Sequence, residues 1–177
     1  MVLLNSNIES ISNYPFDRLR SLLSSINTDN NFEKIDLSIG QPFHKPPKFL
    51  EEIISNSFDK WHLYPPISGI SKLQKSYLDW LQKRFNVSNI ISNENILPLA
   101  GSKEGLCSIA LALSYENMII PNPFYQAYLG PSIIQNMNVS YLNPENGNSY
   151  LFDLEELKQH ISIKKSLVYF CSPSNPQ

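Results

Sequence analysis

The chain has 177 residues, of which 42% are hydrophobic and 17% are charged, with a formal net charge of -2. This composition is typical of a globular domain with a substantial core, and it excludes a disordered or fibrous chain. The lysines are scattered, which argues against a nucleic-acid partner, and no apolar stretch is long enough to span a bilayer. Because the first residues also lack the pattern of a signal peptide, we expect a cytoplasmic protein that binds neither nucleic acid nor membrane.

The first half of the chain carries three amphipathic helical patterns. They cover Pro15 to Ser25, Pro47 to Phe58 and Gly69 to Phe85. Each begins at a proline or glycine and repeats apolar residues at helical spacing. Between the first two, an extended segment from Ile35 to Ile39 runs into Gly40-Gln41-Pro42, where the proline blocks a helix.

From Asn95 onward, short apolar runs alternate with helical patterns. The apolar runs are Ile96 to Leu99, Met118 to Ile120, Val139 to Leu142 and Ser166 to Phe170, and the helical patterns cover 103–114, 124–136 and 153–161. This alternation predicts crossover units that build a parallel sheet with helices on both faces. Since ligands of such sheets bind outside the carboxyl ends of the strands, the loops at 101–102, 122–125 and 172–177 are candidates for one shared site.

The junction at Gly101-Ser102 has the pattern of an anion site made from backbone. An apolar run ends there and a helical pattern starts at once. Unpaired N–H groups and the positive end of a helix dipole meet at such a junction, and Ser102 adds a hydroxyl, which suits a phosphate. A plain helix cap has the same local pattern, so this segment alone leaves both interpretations open.

Two other loops carry groups that could hold a flat ring. Phe124, Tyr125 and Tyr128 follow a predicted strand, where a ring can stack on a ligand, although core packing is the better explanation for at least two of the three. Asn175 stands between prolines, which would aim its amide rigidly, although such a segment is usually only a turn.

The cysteines and histidines predict no metal site. Cys107 and Cys171 have no metal-binding spacing and stand in apolar surroundings, which predicts free thiols rather than ligands or a disulfide. His62 and His160 have no partner pattern.

Six motifs, in order along the chain, resemble one family. They are Tyr-Pro-Phe-Asp-Arg-Leu-Arg at 14–20, Leu-Ser-Ile-Gly-Gln-Pro at 37–42, Tyr-Pro-Pro-Ile-Ser-Gly at 64–69, Leu-Pro-Leu-Ala-Gly-Ser-Lys-Glu at 97–104, Pro-Asn-Pro-Phe-Tyr-Gln at 121–126 and Cys-Ser-Pro-Ser-Asn-Pro at 171–176. Together they resemble the class I/II aminotransferases, which use pyridoxal 5'-phosphate. The chain is most similar to the N-succinyldiaminopimelate aminotransferases of lysine biosynthesis. The resemblance implies an aspartate aminotransferase-like α/β fold, here a truncated, mostly parallel sheet flanked by helices.

The resemblance also assigns roles in binding the cofactor. Gly101, Ser102 and Lys103 match the segment whose backbone amides and hydroxyl bind the cofactor phosphate, and we expect the Lys103 side chain to stay in solvent. Tyr125 matches the aromatic residue that stacks on the pyridine ring. Asn175 matches the amide that hydrogen-bonds the phenolic oxygen of that ring.

Three further residues are interpreted through the same resemblance. Gly40 matches the position where a backbone amide binds the substrate carboxylate. Tyr64 matches a tyrosine that reaches the cofactor phosphate of the partner subunit, which implies a homodimer. Glu104 stands in the first helical turn, where its charge favours the helix dipole but opposes a phosphate, so we expect it to point away and have no catalytic role.

The remaining catalytic groups of the family would lie beyond Gln177. They are the lysine that binds the cofactor covalently, the aspartate beside the pyridinium nitrogen and the arginines that bind phosphate and carboxylate. We therefore expect an N-terminal fragment that contains no catalytic residue and is inactive alone. Residues 1–45 would form an N-terminal arm and the start of the small domain, and residues 46–177 the first half of the large cofactor-binding domain. Because the sheet would lack strands, we also expect the isolated chain to be poorly soluble or only partly folded.

The expected reaction is amino transfer between succinyldiaminopimelate and 2-oxoglutarate. One alternative is another class I/II enzyme, either a different amino-acid aminotransferase or a carbon-sulfur lyase, because these use the same cofactor cradle. The other is a non-enzymatic, aminotransferase-like domain that senses a ligand. That class carries a DNA-binding domain ahead of the fold, whereas only a short arm precedes Tyr14.

Overall fold

The computed structural model describes residues 6–11, 15–26, 32–33, 35–87, 90–144 and 152–177. Tyr14, which begins the first motif, lies outside these ranges. The chain forms two compact units, one made of Met1–Ile26 with Leu99–Gln177 and the other of Asn27–Pro98. The predicted domain division after residue 45 concerns the whole protein and stays a prediction.

Six α-helices and three strands account for most of the regular structure in the described ranges. The helices are α1 (Pro15–Leu23), α2 (Phe49–Ser57), α3 (Ser71–Phe85), α4 (Ser102–Ala112), α5 (Leu129–Ile134) and α6 (Leu154–Ile163), and the strands are β1 (Asn117–Pro121), β2 (Asn138–Leu142) and β3 (Ser166–Val168). All six predicted helical patterns are confirmed, although the pattern at 124–136 begins with a 3₁₀ turn at Gln126–Tyr128. Within the described ranges, no helix is long and apolar enough to cross a membrane.

The three strands form one parallel sheet in the order β2-β1-β3. Asn117 at the start of β1 pairs with Asn138 on one side and with Ser166 on the other. The central strand is buried from both faces, since Met118, Ile119 and Ile120 are fully buried. The predicted α/β class with parallel strands is therefore confirmed.

The prediction of a strand at Ile96 to Leu99 was wrong. This segment is irregular, and no described strand pairs with it. Pro98 cannot donate a ladder hydrogen bond, and an apolar run becomes a strand only where a neighbour accepts its pairing. The strand predicted at 166–170 is also shorter, although the N–H of Tyr169 still donates to the carbonyl of Ile119 at 3.0 Å.

The core of the unit that contains the sheet is built around three buried tyrosines. Tyr128 and Tyr169 are stacked with ring centroids 4.6 Å apart, and the Tyr169 hydroxyl donates to the carbonyl of Leu106. Tyr115 is buried too, and its hydroxyl has no hydrogen-bond partner among the described residues. Burial raises the pKa of Tyr115, and it raises the pKa of Tyr169 to about 12. Both hydroxyls therefore stay protonated near neutral pH.

In the other unit, Asn27–Pro98, no described residue is buried. Hydrogen bonds and a close contact within this unit fix the end of the loop that runs from Tyr64 to Gly69. The side-chain amide of Gln74 on α3 donates to the carbonyl of Ser68 at 2.9 Å and to that of Ile96 at 2.8 Å. Gly69 has a φ of 89°, and a Cβ there would lie 2.5 Å from the ring of Pro98. The loop thus ends against the segment Ile96–Pro98.

Candidate functional site

The carboxyl ends of the three strands form the edge at which this fold class binds ligands. Hydrogen bonds link the loops at this edge. The backbone N–H of Asn122, directly after β1, donates to the carbonyl of Leu142 at 2.8 Å. Its side-chain amide donates to the side-chain oxygen of Asn143 at 2.9 Å. The loops that follow β1 and β2 are therefore held together where the strands end.

The first half of α4 lies at the same edge of the sheet. The Leu106 carbonyl accepts from Tyr169, the first residue after β3, and the Cys107 thiol lies 3.8 Å from the carbonyl of Ala127, in the loop after β1. α4 ends at Ala112 and β1 begins at Asn117, so the C-terminus of α4 lies near the amino end of that strand. From this direction we infer that its N-terminus, with Gly101, Ser102 and Lys103, lies toward the carboxyl ends of the strands.

The turn that begins α4 leaves backbone N–H groups available. Gly101 has a φ of 145° and a ψ of 158°, a conformation that is restricted almost entirely to glycine. Ser102 and Lys103 follow in exposed positions, as expected for Lys103, and N–H groups of a first helical turn have no acceptor within their helix. A Cβ on Gly101 would meet nothing within 4 Å, so the space beside the turn is open. These features fit an anion such as a phosphate.

The Glu104 side chain is directed at the residue before the turn. Its carboxylate accepts a hydrogen bond from the backbone N–H of Ala100 at 2.7 Å. Its own backbone N–H donates to the carbonyl of Gly101 at 3.2 Å. The side chain therefore bends back around the turn, and sequence reasoning missed this contact because it depends on the rotamer of an exposed residue.

Tyr125 is half-buried at the carboxyl edge and is packed against the tyrosine core. Its ring meets that of Tyr128 edge-on, with centroids 5.7 Å apart and planes at 90°. Tyr128 is buried, and Phe124 packs against the core and lies 5.7 Å from the ring of Tyr141. The expectation that at least two of these three aromatic residues serve the core is confirmed. Tyr125 is also exposed enough to offer part of its ring to a ligand.

Asn175 lies seven residues after β3 and is exposed. The segment before it is held by two contacts: the Cys171 thiol donates to the carbonyl of Pro173 at 3.1 Å, and Phe170 stacks on Phe152 with ring centroids 5.1 Å apart. Burial, followed by the charge of Cys171, raises the pKa of Tyr128. Both cysteines are free thiols, as predicted.

Gly40 and Tyr64 belong to the other unit, Asn27–Pro98. Gly40 lies in an exposed, irregular segment, two residues after a turn in which Asp36 accepts from the backbone N–H of Ser38 at 2.9 Å. Tyr64 is 100% exposed. Their predicted roles toward substrate and partner subunit stay predictions.

A shallow cavity of about 290 Å³ opens at the opposite edge of the sheet. Its lining residues are Asn117, Asn138, Ser140, His160, Ile163 and Lys164. Asn117 and Asn138 begin their strands, so this cavity lies at the amino ends. No residue that the sequence assigns to the site contributes to it.

Comparison with known proteins identifies related chains. The family described as "Aminotransferase class I and II" matches residues 33–177. The chain is 31% identical to an LL-diaminopimelate aminotransferase of Dehalococcoides mccartyi (strain CBDB1) over 98% of this chain and 45% of that protein. It is 32% identical to an LL-diaminopimelate aminotransferase of Natranaerobius thermophilus over 81% of this chain and 38% of that protein.

A solved structure supports the same relationship. The crystal structure of an aminotransferase from Neisseria meningitidis superimposes with a TM-score of 0.84 at 28% identity, over 98% of this chain and 45% of that one. The chain therefore spans less than half the length of these relatives.

Proposed function

Because the chain belongs to the class I and II aminotransferases and has an aspartate aminotransferase-like fold, we propose that it forms part of a pyridoxal 5'-phosphate-dependent aminotransferase. The observation that carries this proposal is the glycine-dependent turn at Gly101, which leaves the N–H groups at the start of α4 available. Backbone N–H groups at a helix start bind phosphate in many unrelated folds. Membership of the family indicates that this phosphate belongs to pyridoxal 5'-phosphate.

Gly101, Ser102 and Lys103 would bind the phosphate. The N–H groups of Ser102 and Lys103 would donate to phosphate oxygens, and the Ser102 hydroxyl would add a further donor. Glycine at 101 lets the backbone approach the anion, since no side chain stands in front of it. These contacts orient the cofactor without taking part in bond breaking.

Tyr125 and Asn175 would orient the cofactor ring. The tyrosine ring, supported edge-on by Tyr128, would stack on the pyridine ring. The side-chain amide of Asn175 would donate a hydrogen bond to the phenolic oxygen. When bound, pyridoxal 5'-phosphate supplies the electron sink that allows an amino group and a proton to leave an amino acid.

Gly40 and Tyr64 would bind the substrate and the partner subunit's cofactor, respectively. The N–H of Gly40 would bind the substrate carboxylate. The exposed hydroxyl of Tyr64 would reach the cofactor phosphate of the partner subunit, which makes the active form a homodimer. The substrates would be an amino acid and a 2-oxo acid, with 2-oxoglutarate as the acceptor.

The amino donor would be a diaminopimelate-type diamino diacid of lysine biosynthesis. The motifs favour the N-succinylated compound. The names of the two relatives favour unmodified LL-diaminopimelate as a second candidate, since both are called LL-diaminopimelate aminotransferases. The two candidates differ in whether the distal amino group is acylated and neutral or free and cationic.

The test uses the full-length product of the gene. Glutamate formation from 2-oxoglutarate is measured with N-succinyl-LL-diaminopimelate, LL-diaminopimelate and aspartate as donors. Turnover that requires added pyridoxal 5'-phosphate and prefers one diaminopimelate donor supports the proposal. Elimination without glutamate formation would instead indicate a lyase, and a protein that binds the cofactor without any turnover would indicate a ligand sensor.

A matched pair of variants links that activity to the turn. Ser102→Ala removes the proposed phosphate donor, whereas Ser108→Ala removes an exposed hydroxyl farther along α4. We expect Ser102→Ala to raise the Kd for pyridoxal 5'-phosphate about tenfold, because a hydrogen bond to a charged group is lost. Ser108→Ala should leave the Kd unchanged. Equal Kd values for the two variants would contradict the assignment of Ser102.

A further inference from the structure

Glu104 is attached to both sides of the Gly101 turn. Its carboxylate accepts from the N–H of Ala100 at 2.7 Å, and its backbone N–H donates to the carbonyl of Gly101 at 3.2 Å. One bond therefore lies before the glycine and the other after it. Together the two bonds link Glu104 to the residue before Gly101 and to Gly101 itself. The φ of 145° at Gly101 sets the direction in which the helix starts.

A glycine has many accessible backbone conformations, so a turn that depends on one needs contacts that select it. The Ala100 bond does this without using the N–H groups of Ser102 and Lys103. The carboxylate is directed at the residue before the turn and leaves those two donors available.

We propose that Glu104 is a positioning residue, whose carboxylate holds the Gly101 turn in the conformation that presents the Ser102 and Lys103 amides to the cofactor phosphate. The inference rests on the proposed function for its ligand, but the turn itself is a property of this chain. It assigns a role in the site to a residue whose charge favours the helix dipole but opposes a bound anion.

The two roles of the carboxylate predict opposite outcomes. If Glu104 acts mainly by repelling the phosphate, Glu104→Gln and Glu104→Ala will both bind pyridoxal 5'-phosphate more tightly. If it holds the turn, Glu104→Ala will bind about fivefold more weakly, because a hydrogen bond that orders the site is lost. Glu104→Gln keeps an acceptor oxygen at the same reach and should stay within about twofold of the wild type.

Glu104→Asp separates the effect of side-chain length from the effect of negative charge. It also replaces Glu104→Ala as the test if that variant does not fold. The aspartate keeps the negative charge but is one methylene too short to reach Ala100. A positioning role predicts weakened binding, as for Glu104→Ala, whereas repulsion alone predicts wild-type binding. Glu155→Gln, in the first turn of α6, is the control for loss of one negative charge near a different helix start.

The deciding readout does not depend on cofactor binding. Hydrogen–deuterium exchange of the full-length protein, followed by mass spectrometry on a peptide that covers residues 97–106, reports the Ala100 amide. We expect faster exchange there in Glu104→Ala and Glu104→Asp, and wild-type exchange in Glu104→Gln and Glu155→Gln. Unchanged exchange in Glu104→Ala, or tighter cofactor binding by both Glu104→Ala and Glu104→Gln, would overturn the inference. If the wild type does not bind pyridoxal 5'-phosphate, the proposed function fails, while the exchange rates still decide whether Glu104 holds the turn.

Discussion

Replacing Gly101 by alanine should damage the turn through backbone conformation alone. A Cβ at this position would meet no atom within 4 Å, so no steric clash with a neighbour contributes. The cost comes from the φ of 145° and ψ of 158°, which residues other than glycine rarely adopt, and it amounts to about 1–3 kcal/mol. The chain can either accept this cost or rearrange the turn, and a rearranged turn would misdirect the amides of Ser102 and Lys103.

Gly130→Ala is the matched control within the same compact unit. Gly130 lies in α5, its φ is not positive, and its Cβ would also meet nothing within 4 Å. Alanine in a helix is up to about 1 kcal/mol more favourable than glycine, so this variant should be unchanged or slightly more stable. The same chemical change therefore has opposite expected effects at the two positions.

The assay combines urea unfolding, followed by far-UV circular dichroism, with a pyridoxal 5'-phosphate titration of each variant. We expect Gly101→Ala to lose either about 1–3 kcal/mol of unfolding free energy or most of its cofactor affinity. Gly130→Ala should lose neither. If Gly101→Ala matches Gly130→Ala in both stability and affinity, the conformation of the turn has no role in the site.

Two further predictions concern stability, and a third concerns association of the isolated chain. Burial raises the pKa of Tyr169 to about 12, so the protonated hydroxyl contributes to the free energy of unfolding. This contribution is fully present below the ordinary pKa of about 10 and is lost as pH rises from 10 to 12. In urea unfolding, Tyr169 should contribute a fall of about 2 kcal/mol over that window, so Tyr169→Phe should show a fall smaller by about that amount. The remaining fall in the variant comes from groups such as Tyr115 and Tyr128, whose pKa values burial also raises. A wild-type curve that stays flat to pH 12 would contradict the burial argument. Gly69→Ala should lower the unfolding free energy by more than about 1 kcal/mol, since its φ is 89° and its Cβ would lie 2.5 Å from Pro98, whereas Gly40→Ala, with open space around it, should be within about 0.5 kcal/mol of wild type. The isolated 177-residue chain should associate as its concentration rises, because many large apolar side chains are exposed; monomeric elution with a sharp cooperative melt would show that this is wrong.

The strand and helix content of the sheet region could be predicted because its signals are local. The run Met118–Ile120 is continuously apolar, as a strand buried on both faces requires, and it became the central strand. Ile96–Leu99 is also an apolar run, but it contains Pro98 and is irregular. Strand formation also depends on a pairing partner elsewhere in the chain, and no local pattern reports that partner.

The candidate site was predictable to different degrees. A Gly-Ser pair directly before a helical pattern is compatible with an anion site and with a plain helix cap, and Gly101 has a backbone conformation that favours glycine. Phosphate binding at this turn stays a prediction. Gly40 and Tyr64 have no comparable local signal and were assigned through the family resemblance alone. The contact of Glu104 with Ala100 could not be predicted, because a charged residue in a first helical turn has several exposed rotamers of similar energy.

The central claim is that the start of α4 binds a phosphate group, and the most direct test compares pyridoxal 5'-phosphate with pyridoxal, which lacks the phosphate. The Kd of the full-length protein for each compound is measured from the change in absorbance on binding. We expect pyridoxal to bind at least about a hundredfold more weakly, and Ser102→Ala to reduce that ratio by weakening only the phosphorylated compound. Equal affinity for the two compounds, or an equal effect of Ser102→Ala on both, would contradict the account.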